Sequence, residues 1–179
     1  MGNLKRNFLL GLVVFLMVGT ARVFACSCVD VSDPEMTIFT RIAYAMNGAT
    51  AVFSGKVVGF ENRKGIPSEF EHLANGRAGL AIEGETQMVK FQVDRWWKLA
   101  VPEMIFLASD VVTMPDGSTM GNSCHFDFKQ GESYLMYANG TENLLRPSLC
   151  SRSTIIDRAS EDLKILGKGN EPIKKDEKP

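Results

Sequence analysis

The chain has 179 residues, 20 basic against 21 acidic, a net charge of −1 and 45% hydrophobic residues. That balance fits a globular domain and excludes a low-complexity or strongly charged chain, and it offers no basic excess for a nucleic-acid partner. Four cysteines and two histidines bound the thiol and metal chemistry.

The start reads as an export signal. Lys5-Arg6 precede an apolar run of 11 residues, 8–18, and Val23 and Ala25 stand three and one before Cys26. Residues 1–25 are therefore expected to be a signal peptide cleaved after Ala25; a spanning helix needs about 20 apolar residues, which makes an uncleaved anchor the weaker reading. Cleavage leaves 154 residues, the size of one domain, and the loss of Lys5, Arg6 and Arg22 takes the charge from −1 to −4. The product is expected to be secreted, extracellular or periplasmic. A cysteine at the mature start also admits a lipoprotein, although Phe24 is bulky where such sites carry a small residue. Lipidation of Cys26 would leave an odd number of cysteines to pair, and membrane anchoring is expected only in that form.

After Pro34, apolar residues recur at helical spacing over 36–49, and one helix is expected there. Residues 50–60 are β-rich, with Gly55 and Gly59 permitting a bend or close packing. The segment 61–85 lacks periodicity and reads as a long loop, functional or disordered. Residues 86–98 alternate cleanly, Val89, Phe91 and Val93 against Met88, Lys90 and Gln92. Adjacent Trp96 and Trp97 must face opposite sides of that strand.

Further strands are expected over 103–113, 132–138 and 144–149, with a primed turn at Asn139-Gly140 between the last two. The triplet Asn139-Gly140-Thr141 is also a glycosylation acceptor pattern, and the turn role is preferred. Tyr134 and Tyr137 read as core. A helix is expected over 154–166, striped by Ile155, Ile156, Ala159, Leu163 and Leu166, capped by Ser153 or Thr154 and ended by Gly167. Residues 168–179 read as a flexible polar tail. Five strands and two helices fit a mainly β class with flanking helices, a five-stranded Greek-key barrel of the oligonucleotide/oligosaccharide-binding (OB) type.

Cys26, Cys28, Cys124 and Cys150 allow three disulfide pairings. A Cys26–Cys28 ring would be strained, whereas closing a loop of about 120 residues stabilises by about 4–5 kcal/mol in the chain-entropy model. Each N-terminal cysteine is therefore expected to pair with a distant one. The competing reading, a four-thiolate zinc site with or without His125, has poor spacing and an oxidising compartment against it.

Taken in order, several segments carry a family resemblance: Cys26-Ser27-Cys28; Ala51-Val52-Phe53-Ser54-Gly55-Lys56-Val57-Val58; Phe91-Gln-Val-Asp-Arg-Trp-Trp-Lys98; Asn122-Ser123-Cys124; Gly131-Glu-Ser-Tyr-Leu-Met-Tyr137; Leu149-Cys150-Ser151-Arg152; and Asp162-Leu163-Lys164-Ile-Leu-Gly167. Over 26–167 the chain resembles the tissue inhibitors of metalloproteinases and the wider netrin-like module. The resemblance implies Cys26–Cys124 and Cys28–Cys150 disulfides and an inhibitory edge made by Cys26, Ser27, Cys28, Val29, Asn122 and Ser123. It further implies that the free amine and carbonyl of Cys26 chelate the catalytic zinc of a partner metalloendopeptidase; the chain itself is expected to need no cofactor. The third disulfide of the inhibitors' first domain is missing, Asp30 stands where they often have proline, and His125 stands where glycine is usual.

A netrin-like module that binds a protein or glycan without touching zinc is the alternative. Enzymatic activity is not expected, because His72 and His125 sit in no nucleophile or metal motif.

Overall fold

Residues 51–55 are buried at every position, so this stretch must be covered on both faces. The computed structural model, which describes residues 36–66, 84–121 and 125–174, supplies that cover with a ring of strands on one side and helices on the other. Helix α1 (Ile38–Gly48) starts where the Thr40 N–H donates to Thr37 Oγ1 at 3.2 Å. The strands are β1 (Ala51–Arg63), β2 (Glu85–Lys98), β3 (Met104–Thr113), β4 (Thr119–Gly121), β5 (Ser133–Thr141), β6 (Leu144–Arg146) and β7 (Thr154–Ile155). A 3₁₀ turn (Ile156–Arg158) and helix α2 (Ser160–Leu166) follow.

The strands form one mixed sheet in the order β1-β2-β3-β6-β5-β7, and β1 also pairs with β5. Five strands thus pair in a ring, β1 to β2 to β3 to β6 to β5 and back to β1. Around the ring the pairings are antiparallel except the short parallel contact at Leu107–Leu145. Gly55 makes the β1–β2 approach tolerable: a Cβ there would stand 2.6 Å from the Gln92 carbonyl oxygen. A register shift falls beside it, between Ser54 and Gly55.

Alternation sorts the side chains into two buried clusters. Ala51, Phe53, Val57, Val89, Phe91, Val93, Leu107, Tyr134, Met136 and Leu145 belong to one. Val52, Leu135, Tyr137, Ala49 and Ala159 belong to the other, where Met46 of α1 and Leu163 and Leu166 of α2 pack on the sheet. The period-2 reading of 86–98 holds, and the tryptophans divide as expected, Trp96 against the first cluster and Trp97 against the second.

Four local expectations change. The β5–β6 turn is at Glu142-Asn143, because Thr141 pairs with Leu144, and Asn139-Gly140 lies within β5. Gly140 is needed for another reason: its φ is +103° and a Cβ would overlap the Leu144 carbonyl oxygen. The segment expected as one helix over 154–166 begins as β7, paired with Tyr134 and Leu135, and becomes α-helical only at Ser160. Its expected cap is otherwise engaged, since Ser153 Oγ bonds the Tyr137 backbone and no side chain caps α2; Gly167 does end the helix, at φ 74°. The expected 61–85 loop is shorter at both ends, with β1 reaching Arg63 and β2 starting at Glu85, and residues 67–83 lie outside the described residues.

The fourth change concerns residues 168–174, expected as the start of a flexible tail. Asn170 and Trp96 exchange backbone hydrogen bonds at 2.8 and 3.0 Å, and Ile173 N–H donates to Val101 O at 3.0 Å. The indoles of Trp96 and Trp97 donate to the carbonyls of Glu171 and Gly167, at 2.8 and 3.2 Å. Polar composition concealed this strap because its attachment is through backbone groups, which cover an otherwise open strand edge.

Candidate functional site

Cys26, Ser27, Cys28, Val29, Asn122, Ser123 and Cys124 lie outside the described residues, as does His72. The described part of the expected site is Cys150 with its neighbours, and the chain that follows Cys124. Cys150 is disulfide-bonded, so its sulfur is not available as a zinc thiolate. Among the described residues no group of three His, Cys, Asp or Glu side chains could hold a metal. His125 is exposed.

Residues 147–153 connect β6 to β7, both of which lie along the edge of β5 turned away from β1. Between the two ladders the backbone of Tyr137 bonds a side chain instead: its N–H donates to Ser153 Oγ at 2.8 Å. Ser151 extends the relay, with its hydroxyl 2.8 Å from Ser153 Oγ and donating to the Ser148 carbonyl at 2.7 Å. Two serine hydroxyls and the Ser148 carbonyl thus do locally what strand pairing does on either side.

Arg152 adds a second attachment. Its Nε donates to Asp162 Oδ1 at 2.8 Å and its Nη2 to Oδ2 at 2.6 Å, while the Tyr137 hydroxyl donates to Oδ1 at 2.8 Å. Asp162 is buried, at 4% exposure, so its charge must be compensated on the spot. Burial pushes the Tyr137 hydroxyl well above the usual phenol value, and the bond it gives Asp162 pushes the same way. The Asp162 hydrogen bonds likewise raise Arg152. The carboxylate therefore joins β5, the segment after Cys150 and α2. Tyr137 lies in the core as its strand position implies; the sequence signal for Asp162 is a charged residue three after Ala159 and four before Leu166, on the apolar stripe itself.

The chain leaving Cys124 is anchored by aromatic packing. Phe126 and Phe128 lie 4.6 Å apart, and Phe128 meets Tyr134 and Phe91 edge-on at 5.3 and 5.4 Å. The Lys129 N–H donates to the Tyr134 hydroxyl at 3.0 Å, and that hydroxyl donates to Glu132 at 2.8 Å. No periodicity marks these phenylalanines in the sequence, because they lie in an irregular segment.

Two other surfaces could contact ligands. A hollow of about 620 Å³ is lined by Lys64, Gly84, Glu85, Thr113, Met114 and Pro115, with Lys64 and Glu85 3.8 Å apart as its charged pair. On the outer face of β2 and β3, Phe106 has the Arg63 guanidinium 4.1 Å and the Lys90 ammonium 5.8 Å from its ring centre, and exposed Met104 lies two residues along the same strand.

No family model matches the chain, and no curated protein is significantly similar to it.

Proposed function

We propose that the chain is a secreted inhibitor of zinc metalloendopeptidases built on an OB-type Greek-key barrel, with Cys26 as its active residue. The ring supports the fold half of this reading. Leaving aside the three-residue β4, the fourth long strand, β5, returns to lie beside β1, so β5-β1-β2-β3 has the Greek-key order 4-1-2-3.

The observation that carries the functional half is the disulfide at Cys150, in a segment held to β5 by Ser153 and to α2 by Arg152. With Cys28 as its partner, and Cys26 joined to Cys124, the mature amino terminus is tied to two anchored segments and enters a protease cleft already ordered, which lowers the cost of binding. A catalytic zinc keeps a coordination position for water; the amine and carbonyl oxygen of one residue can occupy it as a five-membered chelate. The amine binds only when unprotonated. Ser27 and Val29, with Asn122 and Ser123 alongside, then make the flanking contacts.

N-terminal sequencing and intact mass of the exported protein test the premise, a free Cys26. The free form inhibits a zinc endopeptidase, and neither the N-acetylated form nor one with an extra residue before Cys26 does. Equal inhibition by the acetylated form would sink the mechanism. A second reading, a netrin-like binding module, is favoured by the Phe106 face alone; there Phe106→Ala abolishes partner binding while acetylation leaves it intact.

A further inference from the structure

We infer that Asp162 is a positioning residue for the Cys150 disulfide and, through it, for the inhibitory amino terminus; the second part rests on the function proposed above. Residues 147–153 lie between two strand ladders, and the bonds that tie them to the sheet and to α2 come from side chains. Two attachments act in parallel. Ser153 holds the segment to the backbone of Tyr137, and Arg152 holds it to Asp162, which α2 carries.

The two attachments differ in what they specify. A hydroxyl bond leaves the segment free to pivot, whereas a guanidinium fork on a carboxylate fixes both distance and plane. The Tyr137 hydroxyl, on the same Oδ1 as Arg152 Nε, prevents the carboxylate from turning. Buried ion pairs add little net stability over apolar packing of the same volume, so directional constraint is the main thing this cluster supplies. Arg152 is two residues from Cys150. Releasing the fork frees the segment that carries the disulfide, while the core beneath stays packed.

The experiment compares Asp162→Asn with Leu163→Ala, a neighbour on α2 that packs on the sheet and makes none of the clamp's hydrogen bonds. Alkylation of Cys150 under dithiothreitol, followed by mass spectrometry well below either unfolding transition, reads the disulfide directly and needs no protease. Asp162→Asn is expected to speed it about tenfold, and to weaken zinc-endopeptidase inhibition about tenfold; Leu163→Ala is expected to lower Tm with little change in either. Should Asp162→Asn not fold, Arg152→Lys keeps the charge, loses the fork and is expected to shift both readouts the same way. An unchanged alkylation rate in the clamp variants, or an equal acceleration in Leu163→Ala, overturns the inference. If the unaltered protein inhibits no zinc endopeptidase, the proposed function and the link to the amino terminus fall, and the alkylation rates alone decide whether Asp162 positions the disulfide.

Discussion

The Arg152 guanidinium and the Asp162 carboxylate meet through two parallel hydrogen bonds of 2.8 and 2.6 Å, with Asp162 almost wholly withdrawn from water. Ten residues apart in sequence, they join the exit from Cys150 to the closing helix. Removing one partner leaves an uncompensated buried charge. Arg152→Ala is therefore expected to cost about 3–5 kcal/mol, and Tyr137→Phe, which takes away one of three donors, about 1–3 kcal/mol. Urea unfolding of the three proteins measures both.

Tyr137 also makes stability depend on pH in the alkaline range. Its folded pKa is raised above the ordinary value of 10.0, chiefly by burial. Below that value the hydroxyl is protonated in both states; as pH rises above it the unfolded chain loses the proton and the folded one keeps it. Unfolding free energy should fall from about pH 10 upward, and Tyr137→Phe should remove that component of the slope in denaturation series at pH 8 to 11.

Two glycines make opposite predictions. Gly140 has φ +103° and no room for a Cβ beside Leu144, so Gly140→Ala is expected to cost over about 1 kcal/mol. Gly48 ends α1 with nothing within 4 Å, and Gly48→Ala should stabilise by up to about 1 kcal/mol. Thermal unfolding of the pair decides; a loss at Gly48 would refute the second.

The strap over the tryptophans gives a spectroscopic test. Gly169 has φ +66° and a Cβ there would stand 2.8 Å from the Trp97 ring. Gly169→Ala, or truncation after Gly167, should expose the indoles, red-shift tryptophan emission and lower Tm. An unchanged spectrum in the truncated protein would contradict the strap.

If Cys26 chelates zinc, inhibition should strengthen as pH rises through about 7.7–8.0, the reference range for an α-amino group. The N-acetylated protein should show neither the inhibition nor its pH dependence, measured as Ki from pH 6 to 9 under conditions where the protease itself stays active.

What could be read along the chain was whatever depends on near neighbours. The alternation of Val89, Phe91 and Val93 identified β2 and its buried face, because strand geometry turns every second side chain the same way. The cluster of apolar residues over 36–49 identified α1, and Gly167 the end of α2. Local spacing failed where a distant partner competes. Thr154 and Ile155 fit a helical stripe, yet they pair with Leu135 and Tyr134 because that edge of β5 offers unsatisfied backbone groups. Asn139-Gly140 looks like a turn, yet the register set by Leu144 and Leu145 moves the turn three residues on.

The sequence by itself determined a β-rich domain with alternating strands, two flanking helices, tryptophans on opposite faces and four cysteines to be paired or otherwise satisfied. Only the tertiary structure decided that five strands pair in a ring, that residues 168–174 strap its edge, and that Arg152, Asp162 and Tyr137 converge beside the Cys150 segment. The physical reason is range. Side-chain periodicity is written in neighbouring residues, whereas the compensation of a buried charge and the pairing of a free strand edge depend on groups that folding alone brings together.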